Sequence, residues 1–307
     1  MAIRNIRETA YAKINFFLRI TGRREDGYHL LSTLMQSVSL CDILTIECST
    51  SAKEDNRIPG ISLSSNAGGL PTDMRNTAYK AARIFLDALA RENISVSIHI
   101  EKNIPSQAGM GGGSSDAAAV LRAMNQLFPG TMTAGELLIA AARIGADVPF
   151  CLSGQTQICR GIGEVLTPVE PLSGLPVLLV KPNCGISTPW AFSEYDSCPP
   201  DALRSEAAEG RILQGLANGN REDPTDRLFH VKTDLFNEFE PIAEKKCPII
   251  ADIRNAMTDQ GAYVSRMSGS GSTVFGVFQH CEQRDAAADS LRKCYGRETR
   301  LFLAKTC

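Results

Sequence analysis

The sequence contains no uninterrupted apolar run close to the roughly 18 residues that a membrane-spanning helix needs. It has no excess of basic residues either, because 32 lysines and arginines stand against 34 aspartates and glutamates, for a net charge of -2 at pH 7. The first absence argues against a membrane protein. The second argues against general electrostatic attraction to nucleic acid or to an anionic membrane surface.

The ten cysteines form no CxxC pair and no Cys/His spacing typical of a zinc site. Because they are scattered along a chain long enough to fold without crosslinks, we predict that they are reduced thiols. The first eight residues hold no apolar segment and include the acid Glu8, which argues against a signal or transit peptide. Together these features predict a cytoplasmic protein.

Apolar sequence sufficient for a sizeable core is present, because 43% of the 307 residues are hydrophobic. Residues 1–160 mix short strand-like runs with alanine-rich helical stretches, whereas polar loops such as residues 218–224 interrupt the second half. Strands and helices that do not alternate strictly favour an α+β architecture. We predict an N-terminal domain over residues 1–160 and a C-terminal domain over residues 161–307, with the boundary placed to within about 10 residues.

Local patterns place the main elements. Residues 95–101 alternate polar and apolar side chains, which predicts a half-buried strand. One helix is predicted after Asn76, which is a suitable N-cap. A second helix is predicted after Thr133, where Thr133 and Glu136 form a capping box, and this helix is predicted to end at Gly145 in a left-handed turn. In the second half, strands are predicted over 177–181, 273–278 and 301–303, and helices near 237–246, 248–259 and 283–294.

The most informative segment is rich in glycine and serine; it follows the strand 95–101 and opens directly into a helix. It reads Pro105, Ser106, Gln107, Ala108, Gly109, Met110, Gly111, Gly112, Gly113, Ser114 and Ser115. Its glycines lack the β-carbons that would keep backbone N–H groups away from a ligand. Consecutive amides before a helix N-terminus form an anion site, and Ser114 and Ser115 can cap the helix or bind a phosphate or its metal. The segment therefore predicts a phosphate-binding loop.

Other interpretations of this loop are weaker. It is not a Walker loop, because no Gly-Lys-Ser/Thr follows, and it does not match GxGxxG. A flexible glycine linker fits poorly between a strand and a helix. A second glycine cluster, residues 266–275, is weak alone because turns of this composition are common. Beside the first loop, it is a candidate second wall of a phosphate-transfer site.

Three segments together resemble the motifs of the galactokinase, homoserine kinase, mevalonate kinase and phosphomevalonate kinase (GHMP) superfamily: residues 12–15, residues 105–118 and residues 267–271. Residues 10–15, 26–29 and 145–150 are most similar to the member that phosphorylates a cytidine diphosphate alcohol in the non-mevalonate isoprenoid pathway. The resemblance runs over almost the whole chain, and several motifs in the family's order make it specific. The departures are Met110, Ser272 and Thr233, where the family usually or often has Leu, Pro and Asn, and none removes a group expected to do chemistry.

The resemblance implies both a fold and a reaction. The fold is a domain similar to ribosomal protein S5 domain 2 followed by a ferredoxin-like domain, with the active site between them. The reaction moves the γ-phosphoryl group of ATP to the 2-hydroxyl of the cytidine diphosphate alcohol and gives the 2-phosphate and ADP.

The resemblance assigns Lys13 and Asp147 as the catalytic pair. A carboxylate can take the proton of a weakly nucleophilic hydroxyl, while a lysine neutralises charge developing on the phosphoryl oxygens. The residues alone favour a structural Lys–Asp ion pair or two unrelated surface charges over a catalytic pair. They also leave open whether Asp147 removes the proton or only orients the hydroxyl.

The resemblance assigns substrate contacts to Asn15, Tyr28, His29 and Phe192. Tyr28 would stack on cytosine, His29 would hydrogen-bond the edge of the base, and Phe192 would cover its opposite face. Asn15 would contact the polyol or a phosphate. The residues alone leave two alternatives: Tyr28 and His29 pack in the core or a turn, and Trp190 replaces Phe192.

The resemblance assigns ATP contacts to the loop 105–115, and adenosine contacts to Asn76 and Lys102. Asn76 also suits an ordinary helix cap, and Lys102 an ordinary charge at a strand end. No carboxylate cluster suggests a metal held by the protein, so Mg²⁺ is expected to arrive with ATP, held mainly by phosphates and water. The expected partners are ATP and the cytidine diphosphate alcohol, with no nucleic acid, membrane or obligate protein partner.

Three other functions are alternatives. Another GHMP kinase, for homoserine or mevalonate, is disfavoured by residues 28–29 and 145–149. A non-catalytic nucleotide sensor is disfavoured because Lys13 and Asp147 are retained. An RNA-binding protein is suggested only by the S5-like domain, and the near-neutral charge argues against it.

Overall fold

The computed structural model describes residues 3–50, 60–90, 93–197, 207–220 and 222–307. The chain divides into two compact units that are discontinuous in sequence. The first unit comprises residues 1–12, 41–104 and 111–153, and the second comprises residues 13–40, 105–110 and 154–307. The domains predicted over 1–160 and 161–307 stay a prediction; the second unit also takes residues 13–40, 105–110 and 154–160.

Two long strands come first along the chain, β1 (Ile3–Arg23) and β2 (His29–Thr50), and they pair with each other. The remaining elements of the first unit are β3 (Ile61–Ser65), α1 (Thr77–Leu89), β4 (Ile94–Glu101), α2 (Gly112–Leu127), α3 (Ala134–Ile144) and α4 (Val148–Ser153). The second half of β2 pairs antiparallel with β4, and β3 pairs parallel with β4.

The alternating pattern of β4 buries one face of the strand, as predicted. Ile94, Val96, Ile98 and Ile100 are buried in one hydrophobic cluster with the apolar face of α1 and the alanines of α2. Small alanine side chains let α2 pack closely in this core. Each Å² of apolar surface removed from water there contributes about 25 cal/mol to the free energy of unfolding. The helix that follows the glycine-serine loop, α2, is therefore packed into the core of the first unit.

The helix ends of the first unit test the capping predictions. Asn76 caps α1 by accepting a hydrogen bond from Ala78 N at 2.9 Å, and Thr133 and Glu136 form the predicted capping box at α3. The prediction of a left-handed turn at Gly145 is wrong. This residue has φ 179° and ψ 156°, an extended conformation that leads the chain straight on toward α4.

The second unit contains the remaining elements. Its strands are β5 (Thr156–Gly161), β6 (Val165–Pro168), β7 (Pro176–Pro182), β8 (Val264–Met267), β9 (Val274–Val277) and β10 (Thr299–Lys305). Its helices are α5 (Thr188–Ser197), α6 (Ala208–Asn218), α7 (Pro224–Val231), a 3-10 turn (Lys232–Asp234), α8 (Glu240–Lys246), α9 (Ile249–Asp259) and α10 (Cys281–Tyr295).

Two sets of strand pairs organise the second unit. The first half of β2 pairs with β5, and β5 pairs with β6, all antiparallel. A separate antiparallel sheet has the order β10-β7-β9-β8, and its buried side chains share a core with α9 and α10. The strands and helices predicted for the second half are therefore confirmed, as β7, β9, β10, α8, α9 and α10. The mixture of sheets and helices without strict alternation confirms the α+β class.

Cys184 and Cys247 are joined by a disulfide bond, with their Cα atoms 6.7 Å apart. The prediction that all cysteines are reduced thiols is therefore wrong for this pair. Packing brings together the segment after β7 and the residue after α8, which are 63 residues apart in sequence. Within the described ranges, no helix is both long enough and apolar enough to cross a membrane.

Candidate functional site

The glycine-serine loop passes from β4 into α2 through left-handed backbone conformations at Gln107, Gly109 and Gly111, with φ of 50°, 71° and 68°. Gly111 is the N-cap residue of α2, and no described side chain caps the helix. The prediction that Ser114 and Ser115 cap it is wrong, because glycine at Gly111 lets the helix begin earlier and places both serines within its first turn. The first N–H groups of α2 thus lack a side-chain cap, the arrangement that favours an anion.

Gly109 lies in backbone contact with the second glycine cluster. A β-carbon at Gly109 would lie 2.0 Å from Ser268 O, so no other side chain fits there. Ser268 Oγ donates a hydrogen bond to Gly109 O at 2.8 Å, and Thr273 N donates to Ala108 O at 3.3 Å. The structure therefore brings together the two loops that the sequence suggested as walls of one site.

Lys13 and Asn15, on β1, lie beside these loops. Lys13 is 4% exposed, and its Nζ donates to Asn15 Oδ1 at 2.6 Å. Asn15 Nδ2 donates to Thr33 Oγ1 at 2.9 Å, while Asn15 N donates to Ser268 Oγ at 3.3 Å. Gly269 has φ of 56°, and a β-carbon there would lie 3.4 Å from Lys13 Nζ, so the loop backbone runs close to the ammonium group. A buried cation beside bare backbone can stabilise negative charge that develops there.

Asp147 belongs to the first unit and lies between α3 and α4. It is partly buried, and its backbone carbonyl accepts a hydrogen bond from Cys151 N at 3.0 Å, in the first turn of α4. Its position immediately before α4 follows from the extended Gly145 and from Pro149, which suits the first turn of a helix.

Lys102 lies in a buried charge cluster of the first unit. Its Nζ forms a hydrogen-bonded ion pair with Asp42 and another, of 2.8 Å, with Asp116. Burial lowers the pKa of Lys102, but the charges of Asp116 and Asp42 outweigh it, and the net shift is upward. Burial raises the pKa of Asp116 to about 7. The charge of Lys102 lowers this pKa and the charge of Asp42 raises it further, but burial is the largest effect. Lys102 and the helix cap Asn76 thus have structural partners, and their contacts with adenosine stay a prediction.

The predicted nucleobase residues of the second unit are partly brought together. The rings of His29 and Phe192 stack with centroids 4.6 Å apart and an interplanar angle of 14°. Tyr28 is 61% exposed, so the core-packing alternative does not apply to it. Trp190, the rival of Phe192, instead lies under the ammonium group of Lys246, 3.6 Å from the ring centroid.

The comparisons with known proteins identify the family. The model of the GHMP kinases N terminal domain matches residues 76–155, and the model of the GHMP kinases C terminal matches residues 220–297. A curated 4-diphosphocytidyl-2-C-methyl-D-erythritol kinase of Synechococcus sp. (strain JA-2-3B'a(2-13)) is 41% identical, over 92% of this chain and 88% of that protein. The protein of the same name from Clostridium acetobutylicum is 36% identical, over 97% of this chain and 98% of that protein. The chain belongs to this family of GHMP kinases.

Solved structures agree with membership of the 4-diphosphocytidyl-2-C-methyl-D-erythritol kinase family. A crystal structure of 4-(cytidine 5'-diphospho)-2C-methyl-D-erythritol kinase is 32% identical, with a TM-score of 0.74 over 98% of this chain and 99% of that one. A homoserine kinase from Cytophaga hutchinsonii reaches a TM-score of 0.75 at 19% identity, over 98% of this chain and 95% of that one, and shows the shared fold alone. The expected GHMP fold is confirmed, and the chain is an ATP-dependent small-molecule kinase.

Sequence reasoning missed several partners of the site residues in this kinase. Thr33 holds the amide of Asn15, and Asp196 lies 2.7 Å from His29 Nε2. Asp196 follows Phe192 by four residues on α5, a spacing that places both on one face of a helix. That spacing was a signal for Asp196, whereas no local pattern points to Thr33.

Proposed function

We propose that this kinase transfers the γ-phosphoryl group of ATP to the 2-hydroxyl of 4-diphosphocytidyl-2-C-methyl-D-erythritol, giving the 2-phosphate and ADP. The observation that carries the proposal is the cluster formed by Lys13, Asn15 and the backbones of Gly109 and Gly269. A nearly buried ammonium group beside two loops of bare backbone suits phosphoryl transfer, which depends on positioning and charge stabilisation. The names of the relatives supply the acceptor.

In this proposal the glycine-serine loop, residues 105–115, holds the phosphates of ATP. The N–H groups at the start of α2 donate to phosphate oxygens, and the helix dipole favours the negative charge. Mg²⁺ bound with ATP would neutralise phosphate charge, and of the two serines Ser114 is the better candidate ligand, because Ser115 is buried and its hydroxyl donates to Gly112 O at 3.3 Å. In the part of the chain that the structure describes, no group of three His, Cys, Asp or Glu side chains is arranged to hold a metal ion.

Lys13 and Asp147 have complementary roles in the proposed reaction. Asp147 accepts the proton of the 2-hydroxyl or orients that hydroxyl toward the γ-phosphorus. The Lys13 ammonium group stabilises charge on the transferred phosphoryl oxygens. The short bond to Asn15 holds this ammonium group in place without removing its charge.

The substrate contacts follow the same proposal. Tyr28, exposed at the end of its turn, and Phe192 present aromatic faces to cytosine, while His29 reads the edge of the base. Asn15 contacts the polyol or a phosphate. Cytoplasmic location and the absence of nucleic-acid, membrane or obligate protein partners stay predictions of the sequence.

The test measures ADP release from ATP with 4-diphosphocytidyl-2-C-methyl-D-erythritol, homoserine and mevalonate as acceptors. We expect turnover with the first acceptor only, and Asp147→Asn should lower that turnover by about 10²–10⁴-fold while ATP binding changes little. Asp87→Asn is the matched control, because Asp87 forms an exposed ion pair with Arg83 on α1, which contributes little to stability. Faster turnover with homoserine or mevalonate would refute the substrate. An Asp147→Asn variant with more than half the wild-type turnover would refute the role of Asp147.

A further inference from the structure

We propose that Asp196 is a positioning residue that sets the hydrogen-bonding polarity of His29, and thereby makes the kinase select cytosine over uracil. The proposal rests on the proposed function, since it concerns the base of that substrate. It begins from the contact between His29 and Asp196, which are 167 positions apart. Asp196 lies outside every motif of the family resemblance.

The Asp196 carboxylate contacts both the His29 ring and Arg23. Asp196 Oδ1 lies 2.7 Å from His29 Nε2, and the His29 side chain is only 8% exposed. Asp196 Oδ2 lies 3.3 Å from Arg23 Nη1. Arg23 Nε in turn donates to Gly27 O at 3.1 Å, in the turn that precedes Tyr28 and His29. The carboxylate is therefore tied to the same turn whose histidine it contacts.

Packing also fixes the orientation of the imidazole. One face of His29 stacks on Phe192, and Tyr195 lies perpendicular to it with centroids 6.3 Å apart. Both aromatic residues lie on α5, as does Asp196, so one helix supplies the stacking partner, the edge contact and the carboxylate. The stacking fixes the plane of the ring, and of the two ring flips in that plane only the one with Nε2 toward Asp196 forms this hydrogen bond.

The chemistry of this pair decides what the other nitrogen can do. A carboxylate only accepts hydrogen bonds, so Nε2 must carry the hydrogen that it shares with Asp196. In the neutral imidazole Nδ1 is then an acceptor, because the hydrogen bond of one ring nitrogen determines the state of the other. An acceptor pairs with the 4-amino group of cytosine and opposes the 4-carbonyl oxygen of uracil. Without Asp196, either tautomer is available and this discrimination weakens.

The direct test is the protonation of the two ring nitrogens of His29, measured by ¹⁵N NMR of histidine-labelled protein at about pH 8. The chain has four histidines, and the His29→Ala spectrum assigns the signal. We expect hydrogen on Nε2 in the wild type. Asp196→Asn should shift His29 toward hydrogen on Nδ1, because an amide N–H can donate to Nε2 and the wrong tautomer then becomes favourable. This readout needs no substrate and does not depend on the proposed function.

The second readout is the ratio of kcat/KM for the cytidine substrate to that for its uridine analogue. Asp196→Asn should lower this ratio by about 5- to 150-fold, the equivalent of about 1–3 kcal/mol for a mispaired polar contact at 1.4 kcal/mol per tenfold. The KM for ATP should not change. Glu194→Gln removes a charge from an exposed position of the same helix and should leave both readouts unchanged. Asp196→Glu, which retains a carboxylate, should restore hydrogen on Nε2.

Each outcome has one meaning. Hydrogen on Nδ1 of His29 in the wild type, or an unchanged cytidine-to-uridine ratio in folded Asp196→Asn, would overturn the proposal. Equal losses in Asp196→Asn and Glu194→Gln would also overturn it, since they indicate a general charge effect. If the wild type does not phosphorylate the cytidine substrate, the proposed function fails, and the NMR experiment still decides the role of Asp196.

Discussion

Gly109→Ala tests whether the two glycine loops must touch through bare backbone. The new β-carbon would lie 2.0 Å from Ser268 O and 3.2 Å from Gly271 N. Because a β-carbon essentially never lies closer than 3.0 Å to another atom, one loop must move by at least about 1 Å. Ser268 O cannot yield freely, since it already accepts a hydrogen bond from Gly271 N at 3.0 Å.

The expected loss of stability has two parts. Alanine at φ of 71° adopts a left-handed conformation that costs about 1–2 kcal/mol. Displacement of the loop breaks the bond from Ser268 Oγ to Gly109 O, which contributes about 1 kcal/mol. We therefore expect the free energy of unfolding to fall by about 2–3 kcal/mol. Turnover should fall by about 100-fold, because an active group misplaced by about 1 Å loses that much, and Lys13 lies beside the displaced loop.

Gly261→Ala is the matched control. Gly261 belongs to the same unit and has φ of 89°, but a β-carbon there would meet no described atom within 4 Å. Gly261→Ala should therefore lose the stability that a left-handed alanine costs, without any steric collision, and it should keep full turnover. Urea unfolding and steady-state kinetics of both variants supply the comparison. If Gly109→Ala matches Gly261→Ala in both measurements, the close contact between the loops is not required and the reasoning is refuted.

Three further predictions concern single side chains. Tyr28→Ala should leave the melting temperature unchanged, because Tyr28 is 61% exposed. The same change should raise the KM for the cytidine substrate by about 5- to 150-fold and leave the KM for ATP unchanged. A lower melting temperature with equal effects on both substrates would contradict this prediction. Asn76→Ser keeps a side chain that can cap α1, so the free energy of unfolding should hold while the KM for ATP rises. Asn76→Ala should raise the KM for ATP and also lower the free energy of unfolding by about 1 kcal/mol. An unchanged KM for ATP in both variants would show that Asn76 acts only as a helix cap. Burial raises the pKa of Asp116 from 3.8 to about 7 in the folded protein, so the stabilisation from its protonated form is complete below about pH 4 and is lost as the pH rises through about 7. Asp116→Asn should remove this decline from the free energy of unfolding measured between about pH 4 and 8, and an undiminished decline would show that another group titrates.

Local structure was predictable where the partners lie within a few residues. The cap at Asn76 and the capping box of Thr133 and Glu136 depend on side chains and amides two or three positions apart, which the sequence displays directly. The predictions failed where the backbone had more than one way to continue. Gly111 starts α2 ahead of Ser114 and Ser115, and Gly145 continues extended because the chain enters α4 almost at once.

The sequence by itself determined the family, the α+β class, the two glycine loops and the residue types of the candidate site. These features reside in periodicity, short motifs and glycine positions, which act through short-range backbone sterics and hydrogen bonds. Tertiary structure alone decided which distant groups meet: Cys184 with Cys247, Lys102 with Asp42, and Asp196 with His29. Such partners are separated by 60 residues or more, so their contact depends on how elements pack and not on any local pattern.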